Sequence, residues 1–181
     1  RVPEGAASVL DVGCGDGTLA RSLARRSRVI HGVDVSPRMI ALAQARTGRE
    51  LGIAYACCDV MTVPASSVFD VVVCVNMVHH VELSGIVQRL TAAVAPAGML
   101  LIQDVVTRRG VRYFPTNVAA MVQSRARGLI ARSKGRSSIA AAYKRHGINE
   151  TYLSPHEVER CYREFLPGAQ VKHHLEWRYS I

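Results

Sequence analysis

No apolar run in the chain reaches the roughly 18 residues that a membrane-crossing helix needs, and Arg1-Val2-Pro3-Glu4-Gly5 carries nothing of a secretory signal. A helical membrane-spanning class is therefore excluded, and a cytoplasmic location is expected. The chain also lacks an initiator Met, which points to a trimmed or fragmentary N-terminus with residues upstream of it. Internal repeats and low-complexity tracts are absent, so solenoids and biased linkers drop out. The five cysteines, Cys14, Cys57, Cys58, Cys74 and Cys161, are odd in number and lack zinc-finger spacing. Several sit in apolar strand runs and read as reduced, small apolar residues. The pairs His79-His80 and His173-His174 are adjacent rather than four apart, so no metal is expected.

One stretch lacks acid altogether. Arg108 to His146 holds ten Lys and Arg and no Asp or Glu, leaving thirteen basic and fourteen acidic residues elsewhere. The formal net charge of +9 thus belongs to one segment. Only Tyr113, Phe114 and Tyr143 interleave there as aromatics, which gives base stacking little support. Three readings stay open for this segment. It is a solvated helical cover over a substrate cleft, a surface for an acidic small molecule or an anionic membrane, or a phosphate track for nucleic acid. The last is not favoured.

What is present is the composition of a globular protein: 181 residues, 49% hydrophobic and 20% charged. That length sustains a single domain with a full core. Val9 to Val12 reads as a buried strand that breaks into Gly13, Gly15 and Gly17, after which Leu19, Ala20, Leu23 and Ala24 recur at helical spacing to about Arg26. Val29 to Val33 is the second strand, ending at Asp34, and Ser36-Pro37 starts a helix to about Arg46. Ile53 to Cys57 and Phe69 to Val75 are further strands. Leu83, Ile86, Val87, Leu90 and Val94 then mark an amphipathic helix stopped by Pro96 and Gly98, with Met99 to Val106 as the fifth strand. Such alternation predicts a parallel sheet with ligands at the carboxyl ends of its strands.

Beyond Arg108 that rhythm lapses. Asn117 to Arg132 is helical in pattern, though interrupted by Gly128, and Lys134 to Ser138 reads as a mobile loop. Ser154-Pro155-His156-Glu157 is a capping box that opens a helix to about Phe165. Ala169 to His174 and Trp177 to Ile181 form a last pair of strands.

The glycines allow positive φ and close approach of backbone to a ligand. The third glycine comes one residue too early for the dinucleotide fingerprint, and Asp11 and Asp16 would repel a pyrophosphate. The ligand is expected to be cationic. With Asp11-Val12-Gly13-Cys14-Gly15-Asp16-Gly17 as its first motif, and Asp34, Asp59, Asn76 and Pro96 to Gly98 following, the stretch Ser8 to Val106 resembles the class I S-adenosylmethionine-dependent methyltransferases.

The resemblance implies a Rossmann-like α/β fold: a twisted, mainly parallel seven-stranded sheet, its last strand antiparallel between the fifth and sixth, with helices on both faces. It implies a single domain over 1–181, with a cofactor core at 8–106, a basic helical insertion at 107–153 and a C-terminal helix and strand pair at 154–181. The cofactor is S-adenosylmethionine, with S-adenosylhomocysteine as product. Its implied site is Asp11, Gly13, Cys14, Gly15 and Gly17, then Asp34 for the ribose hydroxyls, Asp59 for the adenine amino group, and Asn76 and Met77 beside the methionine portion. Val35, Met39, Cys58 and Val60 offer apolar faces to the ring. Against these roles stand local ones, since Asp34 and Asp59 also suit turn capping.

His79, His80 and Asp104 are the candidate general bases, with wall and capping roles as their alternatives. The exit of the fourth strand is similar to that of ubiquinone- and menaquinone-type enzymes. Asn76-Met77-Val78-His79 departs from the Asn-Pro-Pro-Tyr-like sequence that marks amine methylation, so a small-molecule oxygen or carbon acceptor is favoured. Two rivals are an RNA methyltransferase using 108–146 and a non-catalytic cofactor-binding partner protein. The oligomeric state is not legible.

Overall fold

The computed structural model describes residues 5–64, 66, 68–133, 152–175 and 177–181. Seven strands form one sheet in the order β3-β2-β1-β4-β5-β7-β6. They are β1 (Ala6–Val12), β2 (Ser27–Asp34), β3 (Ile53–Cys57), β4 (Phe69–Val75), β5 (Val94–Val105), β6 (Lys172–His174) and β7 (Arg178–Ser180). Pairings from β3 through to β5 are parallel. β6 and β7 pair antiparallel, and Ile102 and Ile181 exchange both backbone hydrogen bonds, at 3.2 and 2.8 Å, the signature of an antiparallel pair. The fold is therefore the expected Rossmann-like one, with the seventh strand between the fifth and sixth.

The helices are α1 (Thr18–Leu23), α2 (Pro37–Arg46), α3 (Leu83–Ala92), α4 (Phe114–Ser133) and α5 (Pro155–Phe165). The chain divides into two compact units, residues 1–103 with 181, and residues 104–180.

In the first unit the central strands are buried on both faces, which is why they read as continuous apolar runs. Val9, Val71 and Val73 point one way and pack with Ala20 and Leu23 of α1 and with Ile30. Leu10, Val12, Val72 and Cys74, one residue out of phase, are equally buried on the other face. α2 begins where the sequence says: the Ser36 hydroxyl accepts from Met39 N–H, and Pro37 stands at the first helical position.

Two stretches of the first unit differ from expectation. α1 ends at Leu23 rather than near Arg26, and β2 begins at Ser27. Arg26 is drawn into the sheet edge instead, its carbonyl accepting from Gly5 N–H at 2.9 Å beside the Ala6–Ser27 register. The third helix stops at Ala92, so Val94, Pro96 and Gly98 belong to β5. Phe69 pairs with Val94 but Val71 with Met99, a bulge in which Ala97 takes φ 62°. A Cβ on Gly98 would stand 2.8 Å from the carbonyl oxygens of both Asp70 and Ala95. That glycine answers a close backbone approach rather than a helix stop.

In the second unit α5 carries the complete capping box: the Ser154 hydroxyl accepts from Glu157 N–H, and the Glu157 carboxylate accepts from Ser154 N–H at 2.7 Å. Tyr162 and Tyr179 are fully buried with their hydroxyls 3.1 Å apart. α4 runs through Gly128 without a break. It buries Ala120 and holds Asn117 between the Arg108 carbonyl and the Trp177 indole, while Phe114, Val118, Met121 and Val122 are exposed. The expected loop at 134–138 lies outside the described residues.

Candidate cofactor site

The site is built at the carboxyl end of β1, where the chain turns through Gly13, Gly15 and Gly17, all at positive φ (70°, 55° and 73°). L-residues are strained there. Space is short as well: a Cβ on Gly13 would lie 2.9 Å from Met77 Cγ, and one on Gly17 would run into the Tyr55 hydroxyl. Gly13 and Cys14 N–H both donate to the Val33 carbonyl, at 2.9 and 3.1 Å, which pins the loop to the end of β2.

Asp34 closes β2. Its Oδ2 accepts from Gly15 N–H and its Oδ1 from Ser36 N–H, each at 2.9 Å. Each oxygen keeps a lone pair after that bond, so the carboxylate is a fixed two-pronged acceptor for neighbouring hydroxyls. The adjoining Val35 is 68% exposed, whereas Met39 and Val60 are buried. Cys58 N–H donates to the Asp34 carbonyl at 3.1 Å, tying the ends of β2 and β3 together. Met61, not singled out in the sequence, is 54% exposed on the turn after β3.

Asp59 caps that turn, its Oδ1 accepting from Met61 N–H at 2.9 Å. Across the loop, Asn76 follows β4 at φ 55°, a strained conformation that Asn tolerates better than most residues. Its N–H donates to the Gln103 carbonyl at 2.8 Å. Val78 to His80 then form a 3-10 turn that brings the His79 and His80 rings to 3.9 Å between centroids.

The two acids of the glycine loop part company. Asp16 is not free for a cationic ligand, which corrects that expectation: its Oδ2 lies 2.7 Å from Arg46 and 4.0 Å from Arg21, and its Oδ1 accepts from Thr18 N–H. Its charge is spent holding the loop to α2. Asp11 is buried, and its Oδ2 has no hydrogen-bond partner among the described residues. Burial pushes its carboxyl up to about 7, assisted by the Asp34 charge and opposed by the Ala20 N–H. Burial likewise drives the Cys14 thiol upward, so it stays protonated.

Asp104 is fully buried within β5, in the second unit, and accepts from Val105 N–H at 2.7 Å. Among the described residues no group of three or more metal-ligating side chains occurs, and no helix is long and apolar enough to cross a membrane.

S-adenosylmethionine fits this donor set. The glycine cradle admits backbone approach, Asp34 holds two fixed acceptor oxygens of the kind a ribose diol needs, and Asp11 holds a buried acceptor oxygen without a partner among the described residues.

Comparison with known proteins agrees. Residues 9–98 match the model of a methyltransferase domain. The chain is 34% identical over 188 residues to the uncharacterized methyltransferase Rv0089 of Mycobacterium tuberculosis, spanning 99% of this chain and 88% of that one. It is 33% identical over 116 residues to the ubiquinone biosynthesis O-methyltransferase of Coxiella burnetii, spanning 62% and 49%. In fold it is similar to the structure of a DhpI–S-adenosylhomocysteine complex, with a TM-score of 0.65 at 18% identity, covering 98% of this chain and 74% of that one.

Proposed function

Because the chain belongs to the class I S-adenosylmethionine-dependent methyltransferases, we propose that its acceptor is a small molecule methylated on oxygen or carbon, and that residues 8–106 seat the cofactor while 107–153 help select the acceptor. Bound S-adenosylmethionine supplies an electrophilic methyl group and leaves as S-adenosylhomocysteine. Asp34 orients the ribose, and Asp59, through the oxygen not used by Met61, accepts from the adenine amino group between Val35, Cys58 and Val60. Asp11, Gly13, Cys14, Gly15, Gly17, Asn76 and Met77 surround the methionine portion, and Met39 supports the ring from the core.

The protein's remaining task is to align donor and nucleophile and to exclude water, because the methyl group is already activated. One of His79 and His80 takes the acceptor's proton in this reading. Asp104 is the alternative base, and its full burial requires an acceptor that reaches the end of β5.

The observation that carries the choice of acceptor is the close, tilted imidazole pair at the exit of β4, in place of an amine-marking tetrapeptide. The O-methyltransferase name of the Coxiella burnetii relative supports it. The test is calorimetric titration with S-adenosylmethionine and, separately, NAD, followed by a screen of phenolic, enolic and amine acceptors. Micromolar binding of the first alone, about −8 kcal/mol, with methylation of phenols or enols, is expected. Turnover confined to amines would overturn the acceptor reading.

A nucleic-acid acceptor is the second reading, favoured by the ten cations without an acid between 108 and 146. It predicts RNA binding that weakens steeply with salt.

A further inference from the structure

Arg89 stands outside the glycine loop and carries none of the motif. It lies in the last turn of α3, whose buried stripe is Ile86, Val87 and Leu90. Its guanidinium reaches the turn after β3, 26 to 29 residues away in sequence. Nε donates to the Val60 carbonyl at 3.0 Å, and Nη2 to the Val63 carbonyl at 2.6 Å and, at longer range, to that of Pro64 at 3.4 Å.

The rest of the turn is held by Asp59. Its side chain accepts from Met61 N–H, and its carbonyl accepts from Thr62 N–H at 2.9 Å and from the Thr62 hydroxyl at 2.7 Å. Val63 N–H closes the turn on the Val60 carbonyl at 3.2 Å. Arg89 holds the turn by its carbonyls, and the Asp59 carboxylate is not among its partners.

We propose that Arg89 is a positioning residue that sets specificity for adenine: by holding the Val60, Val63 and Pro64 carbonyls it fixes the Asp59–Val60 edge against which the base is read. The inference rests on the adenine reading of Asp59 and Val60 above. A planar fork is required, because Nε and Nη2 serve two carbonyls at once. A lysine presents a single point of charge and cannot span them.

The test compares S-adenosylhomocysteine with its 6-oxo (inosine) analogue, titrated calorimetrically into the full chain and into Arg89→Lys and Arg89→Ala. The wild type prefers the amino form, since the 6-oxo base turns an acceptor towards the Asp59 carboxylate. Arg89→Ala should weaken S-adenosylhomocysteine by about tenfold or more, the loss expected for hydrogen bonds from a charged group, and leave the analogue nearly unchanged. Arg89→Lys should not restore the preference. KM for S-adenosylmethionine rises in both variants while kcat at saturation holds, because no reacting atom is touched.

Equal weakening of both ligands would assign Arg89 a general structural role, and unchanged affinity for both would deny it any role; either overturns the proposal. Arg89→Lys keeps the aliphatic stem and charge and guards against simple unfolding, checked by the melting curve. A wild type that binds the two ligands alike removes the adenine reading itself, and this inference with it.

Discussion

Residues 1–103 and 104–180 use their polar groups differently. In the first unit buried or half-buried carboxylates gather at the carboxyl ends of parallel strands. Asp34 is anchored by two N–H groups and Asp16 by Arg46, while Asp11 keeps an oxygen without a partner among the described residues. Among the described residues of the second unit polar side chains pair with one another, Tyr162 with Tyr179 and Asn117 with Trp177, and α4 turns Phe114, Val118, Met121 and Val122 to solvent. One unit is organised for a ligand whose charges are known, and the other carries the part whose partner is not. Cofactor chemistry is therefore predictable from the first unit, and variants there should divide cleanly into those that lose the ligand and those that lose the fold.

The largest effect is expected from Asp34→Ala. Removing the carboxylate proposed to accept from both ribose hydroxyls, and releasing Gly15 and Ser36 N–H, should weaken S-adenosylmethionine by about 100-fold, the equivalent of about 2.7 kcal/mol. Calorimetry would measure it, and an affinity within threefold of wild type would break the assignment of Asp34 to the ribose.

Arg46→Ala comes next and strikes the fold. It leaves the buried Asp16 carboxylate with the 4.0 Å contact to Arg21 and the hydrogen bond from Thr18 N–H. Because Arg46 itself is one-third exposed, the loss should be about 2 kcal/mol, less than for a fully buried pair. Urea unfolding checks this. Unchanged stability would return Asp16 to the list of groups available to a cationic ligand.

Asp11→Asn separates the two kinds of loss by pH. Burial holds the folded carboxyl up at about 7, against an ordinary 3.8. A raised carboxyl favours the fold fully below the unfolded value, and that favour is lost as pH rises through the folded one. Wild type should thus lose stability between about pH 4 and 7, and Asp11→Asn should melt about 5 °C higher than wild type at pH 8 while matching it near pH 4. A cationic ligand favours the ionised form, so binding near pH 7 should release a proton, seen as buffer-dependent heat in wild type and lost in the variant. A variant with the same proton release would show that another group carries the linkage.

The same contrast explains what could be read beforehand. The central strands of the first unit are legible because β1 and β4 carry apolar residues on both faces, and Ser36-Pro37 and the Ser154 box carry their own capping chemistry. β5 is not legible at Val94 to Gly98 because proline and glycine are common signals of a helix end, while here Gly98 serves a close approach to the Asp70 carbonyl that no local pattern announces. The role of Asp16 is hidden for a similar reason: its partner Arg46 lies 30 residues away. Arg89 gave no signal, since an arginine on a helix flank is ordinary until its carbonyl partners are seen. α4 was foreseen as a helix, but its exposed apolar side was not, because periodicity gives a stripe and not the direction it faces.

The smallest effect tests whether the two units are separable in function. Ser154→Ala removes the hydroxyl that accepts from Glu157 N–H but keeps the backbone N–H that holds the Glu157 carboxylate below its usual range. Caps of this kind are worth about 1 kcal/mol, so urea unfolding should show a loss of that order, and S-adenosylmethionine affinity should not move. If affinity falls in step with stability, the second unit is thermodynamically part of the cofactor site, and the division of labour drawn between them fails. If stability falls alone, what the second unit contributes lies with the acceptor, and the search for that molecule should begin with variants of α4 rather than of the glycine loop.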